Sequence, residues 1–143
     1  MSNTMTPQET ITALALAEFR RRHPTIPEHA FPKFRFCDKT ANGLTKMIIE
    51  YIRLRGGLAE RINSMGIYDQ KLKQYRPSGS RKGTADVSAT FKGKSLRVEV
   101  KIGADRQSDD QRKYELEHVA AGGYYFIAKN FTEFYQWFNQ NFE

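Results

Sequence analysis

The chain has 143 residues, the length of one ordinary domain. Its 39% hydrophobic and 13% aromatic content is too rich for a disordered chain, and a lone Cys37 excludes a disulfide scaffold. No run of about 18 apolar residues is present, so no membrane partner is expected, and the net charge of +7 suits a polyanion.

The apolar stretch 11–17 is followed by Arg20-Arg21-Arg22 rather than preceded by it, the reverse of a secretory signal. A cytoplasmic, intracellular protein is the expectation. The charge is uneven: residues 1–40 sum to +2, 41–83 to +6 and 84–143 to −1. A basic segment beside a carboxylate-rich one suits phosphate in the first and a hard cation held against that phosphate by the second.

Thr6-Pro7-Gln8-Glu9 reads as a capped helix start, and His23-Pro24 stops that helix. Residues 24–39 read as an irregular connection. A second helix is predicted over 41–55, with Leu44, Met47, Ile48, Tyr51 and Ile52 as its buried stripe and Gly56-Gly57 at its end. Arg53 and Arg55 fall near that end, where cations are favoured. Residues 58–64 read as a strand, and 67–75 as a further strand or an extended arm.

The basic, turn-rich stretch 76–83 contains nothing that packs and reads as mobile until it meets a ligand. Strands are predicted over 86–91 and 95–101, joined by a tight turn at Lys92-Gly93-Lys94. Ser108 caps a third helix that ends at Gly122-Gly123. A compact strand over 124–128 and a last helix over 131–141 follow. Phe131, Phe134, Tyr135 and Phe138 form the core stripe of that helix. The order implies an α/β domain with a mixed sheet.

Asp86 lies after a glycine turn, and Glu99-Val100-Lys101 follows on the next strand. Side chains at i and i+2 of a strand share a face, so Glu99 and Lys101 project together while Val100 points to the core. Pairing of the two strands brings Asp86 to the same place. Two carboxylates and the Val100 carbonyl are oxygen donors of the kind Mg²⁺ or Mn²⁺ prefers. Lys101 is placed to orient a water, take its proton, or neutralise charge at phosphorus.

Arg61-Ile62-Asn63-Ser64, Gly83-Thr84-Ala85-Asp86, Glu99-Val100-Lys101, Ser108 with Gln111, and Gly122-Gly123 before an apolar strand occur in this order. In this the chain resembles the PD-(D/E)xK nuclease superfamily, and within it the VRR-NUC and Holliday-junction-resolvase-like branch, over about residues 42–130. The resemblance implies a restriction-endonuclease-like core, a central mixed sheet flanked by helices, over 41–143. Residues 1–40 then form an N-terminal helix and connection. It also implies metal-dependent hydrolysis of DNA phosphodiesters, with preference for branched, flapped or single-stranded DNA. Asp86 and Glu99 would be the metal ligands, Lys101 the helper of the water, and Gln111 the support of the site.

The chain departs from the family at two places. Ala85 precedes Asp86 where the family has Pro, and the first core helix begins Asn42-Gly43-Leu44-Thr45, without the family's early Glu. Glu50, the one acid of that helix, is the candidate replacement ligand, and Asn42 would be a weaker neutral donor.

Arg61, Asn63, Lys71, Lys73, Arg76, Arg81 and Lys82 are the candidate DNA contacts. Tyr68 and Tyr75 are the aromatics interleaved with this basic segment. His118 reads as an ordinary helix histidine, His23 and His29 lack metal-ligand spacing, and Cys37 as an unreactive thiol. No phosphate-cradling glycine motif precedes a Lys-Ser/Thr pair, so no nucleoside triphosphate is expected. A homodimer is expected from the family. Two other readings stay open: a DNA-binding module of this fold without turnover, and a subunit of a replication or recombination complex.

Overall fold

The structure, a computed structural model, describes residues 4–62, 67–76 and 79–143. Its first helix, α1 (Pro7–Arg22), starts at a capping box in which Thr6 and Glu9 exchange side-chain and backbone bonds. Helix α2 (Ala41–Leu54) is capped by Thr40 and buries the six residues Leu44, Thr45, Met47, Ile48, Tyr51 and Ile52. Gly56, at φ +96°, turns the chain out of it.

The main sheet has four strands, β1 (Leu58–Arg61), β4 (Val87–Phe91), β5 (Lys94–Val100) and β6 (Tyr124–Ala128), in that spatial order. β1 and β5 run antiparallel to β4, and β6 runs parallel to β5. Two shorter strands, β2 (Ile67–Asp69) and β3 (Gln74–Arg76), form a separate antiparallel hairpin. The β4–β5 turn has positive φ at both Lys92 (+48°) and Gly93 (+78°), the type I′ geometry that matches strand twist.

The parallel step from β5 to β6 is made through α3 (Asp109–Ala120), and α4 (Phe131–Phe142) closes the chain. The architecture of the described residues is therefore α/β: a four-stranded mixed sheet with four α-helices, beside the small β2–β3 hairpin.

The two faces of the sheet differ in chemistry. Val87, Ala89, Phe91, Leu96, Val98, Val100 and Ala128 line one face and form a single core with α1, α2 and α4. Ile11 of α1 is fully buried in that core. Aromatic edge contacts knit it together, among them Tyr51 against Phe138 at 5.5 Å and Phe91 against Phe138 at 4.9 Å between ring centroids. Tyr51 lies inside it because its hydroxyl donates to Asn139 Oδ1 (2.8 Å) and accepts from Arg55 (2.6 Å).

The other face is covered by α3, which buries none of its own residues. Polar contacts tie it to the sheet, such as Arg97 Nε donating to the Tyr114 hydroxyl at 2.9 Å. Leu116 and Val119 lie on its exposed side. No helix of the described residues is long and apolar enough to cross a membrane.

Apart from 67–75, the expected elements appear with boundaries that differ by at most three residues where they can be compared, and the 124–128 strand coincides with β6. The 67–75 segment folds back as a hairpin because Asp69 accepts from the backbone N–H of Lys71 (2.9 Å) and Leu72 (3.2 Å), closing a turn.

Because stability is concentrated in the aromatic layer, Phe138→Ala should lower the unfolding free energy by about 3–5 kcal/mol. Leu116→Ala, on the exposed side of α3, should change it by less than about 0.5 kcal/mol. Denaturant titration of the two variants checks the contrast.

Candidate active site

Strand alternation decides which side chains reach the polar face. Val98 pairs with Val87 on the core face, so the next cross-strand positions, Glu99 and Asp86, face α3. Asp86 sits one residue before β4, and its Oδ2 accepts the Val100 backbone N–H at 2.8 Å. The other end of the same β5 turn is held by Lys101 N–H, which donates to the Ala128 carbonyl on the opposite side at 2.9 Å. A trans peptide points its C=O opposite to its N–H, so the Val100 carbonyl turns toward the Asp86 side.

Glu99 is only 2% exposed. Its Oε1 accepts from Gln111 Nε2 at 2.9 Å, and the Tyr125 hydroxyl lies 3.5 Å from Oε2. Gln111 is itself fixed, since its Oε1 accepts the Ser108 backbone N–H (2.8 Å) while the Ser108 side chain caps α3. The helix cap and the support of the carboxylate are one side chain.

Lys101, 8% exposed, has its ammonium 3.8 Å from Glu99 Oε1 and 3.7 Å from Asp105 Oδ2. Both separations are ion pairs longer than a hydrogen bond.

Burial pushes the Glu99 carboxyl up to about 8, and the hydrogen-bonded, negatively charged Asp86 adds to the shift against the opposing pull of Lys101. Without a cation the Glu99 carboxyl thus keeps its proton near neutrality, hydrogen-bonded to Asp86. Burial also raises the Tyr125 hydroxyl well above the usual tyrosine range, with the Glu99 charge as the second cause.

The donor set fits a hard divalent cation. The proton that burial keeps on Glu99, facing Asp86, is one that such an ion can replace, and the Val100 carbonyl supplies a further oxygen. Among the described residues no three His, Cys, Asp or Glu side chains gather as a metal-binding group.

The structure therefore brings Asp86, Glu99, Lys101 and Gln111 together, with the Val100 backbone between them. Glu50 is elsewhere: it lines a groove with Lys46, Arg53 and Phe36, about 12 Å along α2 from Asn42 at the usual helical rise. Asn42, at the helix start, accepts from Arg61 at 2.7 Å. Arg61 pairs with Val87 and so lies on the α2 face, across the sheet from the carboxylates.

Lys71 and Lys73 are exposed in the β2–β3 turn, and Arg76 ends β3. Asn63 lies outside the described residues. Arg81 and Lys82 are held on α3, Arg81 by an ion pair to Glu117 and Lys82 by one to Asp110 at 3.3 Å. The expectation that nothing in 76–83 packs fails at Gly83. Its φ is +83°, and a Cβ there would overlap the Asp110 carbonyl, so the loop end rests directly on α3.

Tyr125 and Asp105 were not anticipated. Alternation along Tyr124-Tyr125 already says that one of the pair faces α3, and the β5–β6 register selects Tyr125, opposite Arg97. Asp105 depends on a loop path that no local pattern specifies. His118, expected to be unremarkable, stacks on Tyr114 with ring planes 2° apart, and burial pushes its pKa down. Comparison with protein-family models, curated proteins and solved structures finds no match to this chain.

A carboxyl raised by folding penalises the charged native form. In cation-free buffer, the Glu99 contribution should leave stability undiminished below pH 4.5, lower it as pH rises toward about 8, and then level off. Glu99→Gln should flatten that slope and stabilise the protein at pH 8. Urea titrations of both proteins between pH 4 and 9 check this.

Proposed function

We propose that the chain is a divalent-cation-dependent deoxyribonuclease with a restriction-endonuclease-like core. The observation that carries the reading is the buried Glu99 carboxyl facing Asp86, with Lys101 and Gln111 against it. Burial of a carboxylate beside another carboxylate opposes folding, and a purely structural strand has no use for it. The order of the sheet and helices agrees with the α/β core that the resemblance implies.

Asp86 and Glu99, with the Val100 carbonyl, would hold Mg²⁺ or Mn²⁺. Bound there, the cation supplies positive charge against the scissile phosphate and the attacking water. Asp86 is oriented by the Val100 N–H, and Glu99 by Gln111, so neither carboxylate has to reorganise during the reaction. The Lys101 ammonium, flanked by Glu99 and Asp105, is placed to position the water and to offset charge growing on the phosphoryl oxygens. α3 shields this group from bulk solvent.

The substrate side is cationic. Arg81 and Lys82 sit beside the Asp86 turn in exposed ion pairs, and Lys71 and Lys73, exposed on the β2–β3 turn, would add further phosphate contacts. Such pairs are worth about 0–1 kcal/mol, so a DNA phosphate can replace the α3 carboxylates as their partner. Branched, flapped or single-stranded DNA is the proposed substrate, and a homodimer the proposed assembly. A second reading, a DNA-binding module without turnover, is favoured by the two-carboxylate donor set. Calorimetry with each cation separates them: the module binds DNA with steep salt dependence yet takes up neither Mg²⁺ nor Mn²⁺.

Junction, flap, duplex and single-stranded DNA should be incubated with each cation and with Asp86→Asn, Glu99→Gln or Lys101→Ala. The parent should cleave at least one substrate, and each variant should lose at least about 100-fold in rate while remaining folded. Undiminished cleavage by all three variants would remove the mechanism.

A further inference from the structure

A second feature lies at the same end of the sheet. The connection after α1 contains Lys33-Phe34-Arg35-Phe36, in which aromatic and basic residues alternate. Phe34 and Phe36 are partly buried, with ring planes 7° apart and centroids 6.3 Å apart, while Lys33 and Arg35 are exposed. Gln8 of α1 holds this strip by donating to the Phe36 carbonyl at 2.6 Å, and the Phe19 ring meets Phe34 edge-on at 6.5 Å.

The two parallel rings line an open groove of about 670 Å³ together with Lys46, Arg53 and Arg61. The volume is that of a small-molecule site. Its chemistry is mixed in a particular way. A phosphate alone would use the cations and leave the rings idle, whereas an aliphatic ligand would do the reverse. A nucleotide uses both, its base on an aromatic face and its phosphate among the cations. Glu50 and Asn42, in the same groove, offer an acceptor and an amide to the polar edge of a base.

The position of the groove joins it to the carboxylates. Arg61 is the last residue of β1 and pairs with Val87, and the next residue, Ile62, donates its N–H to the Asp86 carbonyl at 2.8 Å. The groove therefore opens one residue step across the sheet from Asp86, on the α2 face, while the carboxylates occupy the α3 face. A strand with its phosphodiester at Asp86 and Glu99 reaches the groove by turning around the sheet end. Paired DNA is too stiff for such a turn, whereas an unpaired strand bends.

We propose that this groove binds one unpaired nucleobase of the DNA strand being cleaved, stacked on Phe34 and Phe36. The inference rests on the nuclease reading and adds to it the origin of a preference for single-stranded character. Lys46, Arg53 and Arg61 hold the neighbouring phosphates.

The test uses the full chain carrying Asp86→Asn, so that the DNA survives, and fluorescence anisotropy at low salt. The probes are a labelled oligothymidylate and an abasic oligonucleotide of the same length and charge. The parent should bind oligothymidylate about tenfold more tightly than the abasic strand, as expected for a stacked base. Phe34→Leu should bring that ratio to about one, and Phe34→Trp should retain it. Lys46→Ala should weaken both probes alike.

A parent that binds both probes equally, or a Phe34→Leu ratio equal to the parent's, would overturn the inference. If the Asp86 form of the protein still cleaves DNA in that case, the nuclease reading survives without the groove. Absence of both DNA binding and cleavage would overturn the two together.

Discussion

The polar end of the sheet is organised by the burial of one carboxyl group. Glu99 is carried by the central antiparallel pair of strands and cannot leave the interior without breaking the register that packs Val98 and Val100 into the core. Asp86 is held opposite by a backbone bond of the same strand. The repulsion and desolvation that result are met partly by Gln111 and Lys101, and partly by a proton. A divalent cation would meet them more completely.

The rest of the molecule is arranged around that constraint. The aromatic layer on one face, built from α4, α2 and α1, supplies stability that the polar face does not. α3 is then free to be a polar cover, attached through Gln111, Tyr114 and ion pairs to the Asp86 loop rather than through an apolar stripe. Gly83 is where the backbone of the loop comes closest to that cover. The same helix thus caps itself, orients Glu99 and fixes the approach to Asp86.

Much of this is readable from residue pattern alone. Caps at Thr6 and Ser108, the stripe from Leu44 to Ile52 and the two-residue alternation of Glu99 and Lys101 are local signals, and local rules govern them. The convergence of Asp86 with Glu99 is also readable, because a short hairpin turn leaves little freedom in register. What escapes is set by tertiary path. Asp105 reaches Lys101 through a loop, and Arg81 and Lys82 find partners on a helix distant in sequence. The Phe34/Phe36 pair sits in a proline-rich connection without periodicity, where no pattern says which ring faces inward. Glu50 illustrates the converse: helical position alone leaves this acid in the groove on the α2 side of the sheet, while the other two lie on the α3 side.

The most direct measurement is anomalous scattering from a crystal of the protein equilibrated with Mn²⁺ at a pH above 8. The account predicts a single strong peak within bonding distance of both the Asp86 and Glu99 carboxylates and beside the Val100 carbonyl. Carboxyl groups still hydrogen-bonded to each other, with the manganese elsewhere or absent, would contradict it.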